Sequence, residues 1–149
     1  MIVYLARHGE AVSVEKNPER PLSQEGKNEV EKMASLLETM GLKVNKVIHS
    51  GKKRAEESAE IFSKKLCDGN TSVSKGLNPN DNVKEFWKKS KDEDSTMYVG
   101  HLPFMEKLAS FILTDDEYGV LIKIKTGGVL CLEKSEERWY IKWLISAEL

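Results

Sequence analysis

Two arginines and two histidines carry the chemistry that this sequence makes available: the adjacent pair Arg7-His8, then Arg54, then His101. A guanidinium is planar, keeps its charge at any working pH and donates paired hydrogen bonds to phosphate oxygens. Arg7 and Arg54 therefore suit the holding of a phosphoryl group and the neutralising of its equatorial oxygens. A neutral imidazole is a nucleophile without first losing a proton, and histidine forms covalent intermediates. Such a set fits phosphoryl transfer with no cofactor. No metal is called for, because the chain has no carboxylate cluster at magnesium spacing and no Gly-rich nucleotide loop.

For these residues to meet, separate elements must deliver them to one edge. In open α/β sheets ligands collect at the carboxyl ends of strands, and each of the four follows such an end. Ile2 to Ala6 is almost wholly apolar, as a central strand covered on both faces should be, and it runs into Arg7-His8. Val44 to His49 reads as a second strand; a helix from about Lys52 to Leu66 carries Arg54, with Ala55, Ala59, Phe62 and Leu66 on one face. Thr96 to Gly100 reads as a third strand leading to His101, and His101-Leu102-Pro103 opens a helix through Leu113, with Pro103 accepted in its first turn. Helix starts near Lys52 and His101 would add backbone N–H donors for an anion.

Elsewhere Val30, Met33, Ala34 and Leu37 mark an amphipathic helix from Gln24 to Met40, capped by Ser23 and ended by Gly41. Residues 67–95 are the least regular third, with turn signals at Asp68-Gly69-Asn70 and Asn78-Pro79-Asn80-Asp81 and one short helix at Val83 to Lys88. Val129 to Glu133 and Trp139 to Ile145 form a closing hairpin, in which Trp139, Ile141, Trp143 and Ile145 should share one buried face. Strands interleaved with helices imply an α/β fold: a three-layer α/β/α sandwich around a mixed, mostly parallel sheet.

The bulk numbers narrow the class. At 149 residues, 40% hydrophobic and 32% charged, the chain is expected to form a single domain, 1–149, with a real core. Lys and Arg number 23 against 24 Asp and Glu, so no global field draws it to nucleic acid or an anionic membrane. Any anion must be bound locally. Two cysteines, Cys67 and Cys131, are too few for a disulfide framework and fit a reducing cytosol. With no basic n-region at Met1 and no long apolar stretch, a cytoplasmic location is expected.

Arg7-His8-Gly9-Glu10 after an N-terminal strand resembles the signature of the histidine phosphatase superfamily, also called phosphoglycerate mutase-like. Ser50-Gly51-Lys52-Lys53-Arg54-Ala55 is similar to its second motif, a serine followed four places on by arginine, and Val99-Gly100-His101-Leu102-Pro103 to its late catalytic histidine. The short length, Arg20-Pro21-Leu22-Ser23 and Gly26 look most like the SixA-type phosphohistidine phosphatases. The resemblance implies that His8 is the phosphorylated nucleophile, while Arg7, Arg54 and His101 bind phosphate and stabilise the transition state. Leu102 belongs to the same phosphate-binding motif. Arg20 either lines the rim or makes a surface ion pair. Glu10 orients neighbouring Arg or His side chains, and His49 has a packing or hydrogen-bonding role.

The chain departs from the family pattern twice. Gly51 stands where proline is common, and Asn78 stands near the place where larger relatives supply an acid for the leaving oxygen, leaving Asp81 and Glu85 as candidates. An alkoxide leaves poorly without a proton donor, whose help is worth about 100- to 10,000-fold. A P–N bond to imidazole needs less. The expected substrate is therefore a protein phosphohistidine; a small phosphate ester is the alternative within the same chemistry, and a phosphate-binding module without turnover the alternative outside it.

Overall fold

The apolar run at the N-terminus becomes the strand on which everything else is hung. In the structure, a computed structural model that describes residues 1–147, β1 (Ile2–Arg7) has Val3, Tyr4, Leu5 and Ala6 all buried. The chain continues through α1 (Gln24–Thr39), β2 (Lys46–His49), α2 (Lys53–Leu66), β3 (Thr71–Val73), α3 (Val83–Ser90), β4 (Thr96–Gly100), α4 (Phe104–Thr114), β5 (Val129–Ser135) and β6 (Arg138–Ile145). The sheet runs β3-β2-β4-β1-β5-β6. β3, β2, β4 and β1 are mutually parallel; β5 is antiparallel to β1, and β6 to β5. This is a mixed, mostly parallel α/β arrangement, as expected.

Alternation along β1 sorts the two cores. Tyr4 and Ala6 join Val30, Met33 and Leu37 of α1 and Ala59 and Phe62 of α2 on one face. Val3 and Leu5 join Phe86 of α3 and Phe104 and Leu108 of α4 on the other. Helices therefore cover both sides of the sheet, as the three-layer expectation required.

Local signals explain most of the boundaries. Ser23 accepts from the Gly26 N–H at 3.0 Å to start α1, and Gly41, at φ +82°, closes it with an N–H bond to the Glu38 carbonyl. Asn82 caps α3 by accepting from Lys84 and Glu85 N–H. Gly26 is also where α1 crosses the loop after β1 so closely that a Cβ there would overlap the Glu10 carbonyl. The signature loop is thereby pressed against a helix.

Three expectations are corrected. β3 lies in the segment read as irregular; three residues with Val73 exposed give no periodicity to detect. α4 begins at Phe104, after a cis Leu102-Pro103 bond, with Pro103 as the capping residue and not in the first turn. The four alternating residues of β6 do not share a face. The register with β5 shifts between Cys131 and Leu132, so Trp139 packs on the Leu5 side while Trp143 and Ile145 pack on the Tyr4 side, and Ile141 is exposed. One extra residue in a strand flips all side chains beyond it.

Candidate active site

β1 and β4 are in register as parallel neighbours, Arg7 opposite Gly100, so the residues that follow each strand emerge side by side. His8 N–H bonds to the Gly100 carbonyl at 3.0 Å, and the His8 and His101 rings lie 5.0 Å apart between centroids, tilted by 53°. Both are buried.

The His8 ring is fixed in one tautomer. Its Nδ1 is 2.6 Å from the Gly9 carbonyl, which can only accept, so Nδ1 carries the proton and Nε2 keeps its lone pair. Burial pushes its pKa down to about 4; the Gly9 bond, the next largest effect, opposes this, and the charges of Arg54, Arg7 and Arg20 each add a smaller push in the same direction as burial. At neutral pH His8 is an uncharged imidazole.

His101 is held from β2. Its Nε2 is 2.6 Å from Ser50 Oγ. The Ser50 oxygen also accepts from the Lys52 N–H at 3.3 Å; when its hydroxyl proton is directed to Nε2, the ring proton sits on Nδ1. That Nδ1 is buried and has no partner. Burial, followed by the His8, Arg54, Lys52 and Arg20 charges, lowers the His101 pKa to about 3.

Arg54 reaches the site from the first turn of α2, and a buried serine joins it to the His8 loop. Ser58 Oγ accepts from the Gly9 N–H at 3.0 Å and donates to the Arg54 carbonyl at 2.8 Å. Arg7 donates from Nη1 to the Ile124 carbonyl at 3.1 Å. The Nε atoms of Arg7 and Arg54 are buried without a partner. Burial lowers the pKa of both guanidinium groups, which nonetheless remain charged. Arg20, at φ +50°, is tied by Nε to the Val12 carbonyl at 3.1 Å, and its charge reaches His8, Arg54 and His101. Among the described residues no ion pair involves Arg7, Arg20 or Arg54. Three cations beside two neutral imidazoles, none neutralised by a carboxylate pair, form a receptor for a multiply charged anion.

The helix ends agree. α1 and α3 have side-chain caps, whereas α2 and α4, the two that start at the site, have none. In each first turn one donor is already taken by the backbone, the Ala55 N–H by the Lys52 carbonyl at 3.0 Å and the Met105 N–H by the His101 carbonyl at 2.9 Å; an anion would use only the others.

All four principal residues and Arg20 thus converge. Leu102 lies beside Arg7 in the wall of an adjoining cleft of about 410 Å³. Asp81 and Glu85 instead line a hollow of about 260 Å³ that includes none of the four, and the Asp81 carboxylate is occupied by the Asn78 N–H at 2.9 Å. Glu10 is exposed, and its backbone carbonyl, not its side chain, makes the contact with Ser23. His49 accepts from the Gly51 N–H through Nδ1 at 3.0 Å. Two contributors were missed. Ser58 sits among Ala55, Ala59 and Phe62 on the buried stripe of α2, and a serine on such a stripe was a readable signal. Glu106, whose Oε2 accepts from Ile124 N–H at 2.9 Å, steadies the segment against which Arg7 rests; nothing in the sequence points to it. No group of three or more His, Cys, Asp or Glu placed to hold a metal exists among the described residues.

A model of the histidine phosphatase superfamily (branch 1) matches residues 3–79, just over half the chain and including His8 and Arg54. The protein belongs to this superfamily. Solved structures extend the likeness to the whole fold. The protein histidine phosphatase SixA complexed with tungstate is 22% identical, with a TM-score of 0.85 over 99% of this chain and 97% of that one. A protein from Agrobacterium tumefaciens, provisionally assigned as the phosphohistidine phosphatase SixA, is 20% identical, with a TM-score of 0.79 and 97% of each chain covered. A phosphoserine phosphatase from Entamoeba histolytica, solved with 3-phosphoglyceric acid, is 14% identical, with a TM-score of 0.73 over 99% and 98% of the two chains. A sequence search of curated proteins finds no match. No helix among the described residues is long and apolar enough to cross a membrane.

Proposed function

We propose that this protein is a metal-independent phosphatase that accepts a phosphoryl group on His8 Nε2 and then passes it to water, with phosphohistidine in a cytoplasmic protein as its favoured substrate. The observation that carries this reading is the His8 tautomer. The 2.6 Å bond to the Gly9 carbonyl leaves a lone pair on Nε2 beside the Arg7 and Arg54 guanidinium groups, whose buried Nε atoms have no partner. Nε2 attacks phosphorus as the bond from phosphorus to the leaving nitrogen breaks; that nitrogen keeps the electron pair and, with a proton on its ring's other nitrogen, the substrate histidine departs as neutral imidazole. Arg7 and Arg54 take up the charge on the equatorial oxygens, and the His101 Nδ1–H adds a neutral donor. In the second step water attacks phosphorus and the His8 imidazole leaves, releasing inorganic phosphate.

The substrate choice rests on the missing acid. Asp81 and Glu85 line a hollow that includes neither His8 nor His101, and the Asp81 carboxylate accepts from the Asn78 N–H, so neither is placed as a proton donor for an ester oxygen. Imidazole departs more easily. The likeness to a phosphoserine phosphatase favours a small ester as the second reading, and relative turnover separates the two. The experiment is rapid-quench labelling in excess EDTA with a histidine-phosphorylated protein. An acid-labile, alkali-stable phosphate should map to the peptide containing His8 and vanish in His8→Ala, while His101→Ala slows labelling without moving it. Label on His101, or labelling that EDTA abolishes and magnesium restores, would overturn the assignment.

A further inference from the structure

Beside the proposed phosphate site runs a surface that a small substrate would not touch. Residues 121–125, between α4 and β5, have no regular secondary structure and alternate outward and inward: Leu121, Lys123 and Lys125 are exposed, Ile122 is half-buried and Ile124 is buried. This strap is not loose. The Ile124 N–H is held by Glu106 at 2.9 Å and its carbonyl by Arg7 at 3.1 Å. Yet Leu121 is 99% exposed and Tyr118, just before it, 74% exposed, the two highest values among the large apolar side chains described. A single exposed leucine means little. Here it forms a ridge between two hollows of about 410 and 170 Å³ that both border Leu121, Ile122 and Glu106, and the larger has Arg7 in its wall. The groove therefore opens onto the phosphate site.

We infer that the Tyr118 to Lys125 strap is the docking surface for the phosphorylated protein substrate, an inference that rests on the phosphatase reading above. The occupant is defined by the chemistry of the groove. Leu121 and Ile122 require a large apolar side chain on the partner. The groove walls carry Arg7, Lys123, Lys125 and Lys107, the last 5.5 Å from the Tyr118 ring centroid, against two carboxylates, Glu117 and the Glu106 already engaged by the Ile124 N–H. This surplus of cations favours carboxylates flanking that side chain on the partner. A protein surface with an apolar residue bordered by acidic ones, next to its phosphohistidine, meets both demands. A small metabolite held by its phosphate at the Arg7 and Arg54 site offers no such apolar side chain bordered by carboxylates.

The test compares Leu121→Asp with wild type on two substrates: phosphoramidate, a small P–N compound, and a set of histidine-phosphorylated phosphotransfer domains. Leu121 is solvent-exposed and outside the catalytic group, so the fold and the phosphoramidate rate should be kept. The expected result is a fall of about tenfold or more in kcat/KM for the phosphoprotein, mostly through KM, with phosphoramidate changed less than about twofold. Lys123→Glu should act in the same direction. Equal effects on both substrates, or none on either, would overturn the docking surface. So would a wild-type dimer in sedimentation that Leu121→Asp dissociates, since a second copy would then be the occupant. Turnover of phosphoramidate but of no phosphoprotein defeats this inference and the choice of a protein substrate while leaving the His8 phosphatase chemistry standing; turnover of neither defeats that chemistry itself.

Discussion

Lowering the pH from 7.5 to 5.0 should unfold this protein more readily, and two buried histidines should account for the effect. An unfolded histidine has a pKa of about 6.5, whereas burial among cations pushes His8 to about 4 and His101 to about 3. Between these values the unfolded chain takes up protons that the folded one refuses. Stability is thus full above pH 6.5 and is lost as pH falls, until about 4 for His8 and about 3 for His101. At pH 5 each group is 1.5 units below its unfolded pKa, and at about 1.36 kcal/mol per unit each costs about 2 kcal/mol, about 4 together. The assay is urea unfolding at both pH values in phosphate-free buffer, since bound phosphate would stabilise the folded form. The control is His8→Asn/His101→Asn, which removes both titrations. His49, also lowered by burial, and Glu29, whose raised pKa works in the opposite sense, are common to both proteins and cancel in the comparison. Wild type should lose about 4 kcal/mol more than the control. A difference below about 1 kcal/mol would show that these imidazoles are not held neutral by their surroundings.

Arg54→Ala should lower turnover at least about a hundredfold with the fold intact, and Arg54→Lys should restore it only in part, because one ammonium cannot make the paired contact; near-normal rates in folded Arg54→Ala would contradict the clamp. Ser58→Ala leaves the buried Gly9 N–H unpaired and should lower stability by about 1 to 3 kcal/mol in urea melts while slowing turnover; loss of neither would show that the His8 loop is held without it. Gly51→Pro, which installs the residue common in the family, should destabilise by about 3 kcal/mol, since proline cannot adopt φ +92° and removes the N–H given to His49; a stable variant would show that the loop moves freely.

The convergence of Arg7, His8, Arg54 and His101 was legible because each follows a strand whose apolar character is unmistakable, and strand ends in a parallel sheet gather at one edge. What the sequence could not reveal depended on partners remote in the chain. The bulge in β6 arises from its pairing with β5, so no pattern within residues 138–145 could announce that Trp139 and Trp143 face opposite ways. β3 exists because β2 offers it an edge to pair with, not because three residues favour extension. Arg20 carries two readings in sequence, rim or surface pair; its neighbours in space are other cations, which only the fold brings close.

The same reasoning explains why the departure at Gly51 leaves the site intact. A proline would stiffen the loop after β2 by its own ring. This chain achieves a fixed loop by other means: Gly51 turns at positive φ, its N–H is taken by His49, and Ser50 is thereby held where its hydroxyl meets His101 at 2.6 Å. His49 is the residue that makes a glycine tolerable there. Its imidazole is buried and its pKa lowered by burial, so Nδ1 remains an acceptor at neutral pH. Of the packing and hydrogen-bonding roles open to His49 in the sequence, the second is the one seen, and it places this side chain two hydrogen bonds from His101, through Gly51 and Ser50.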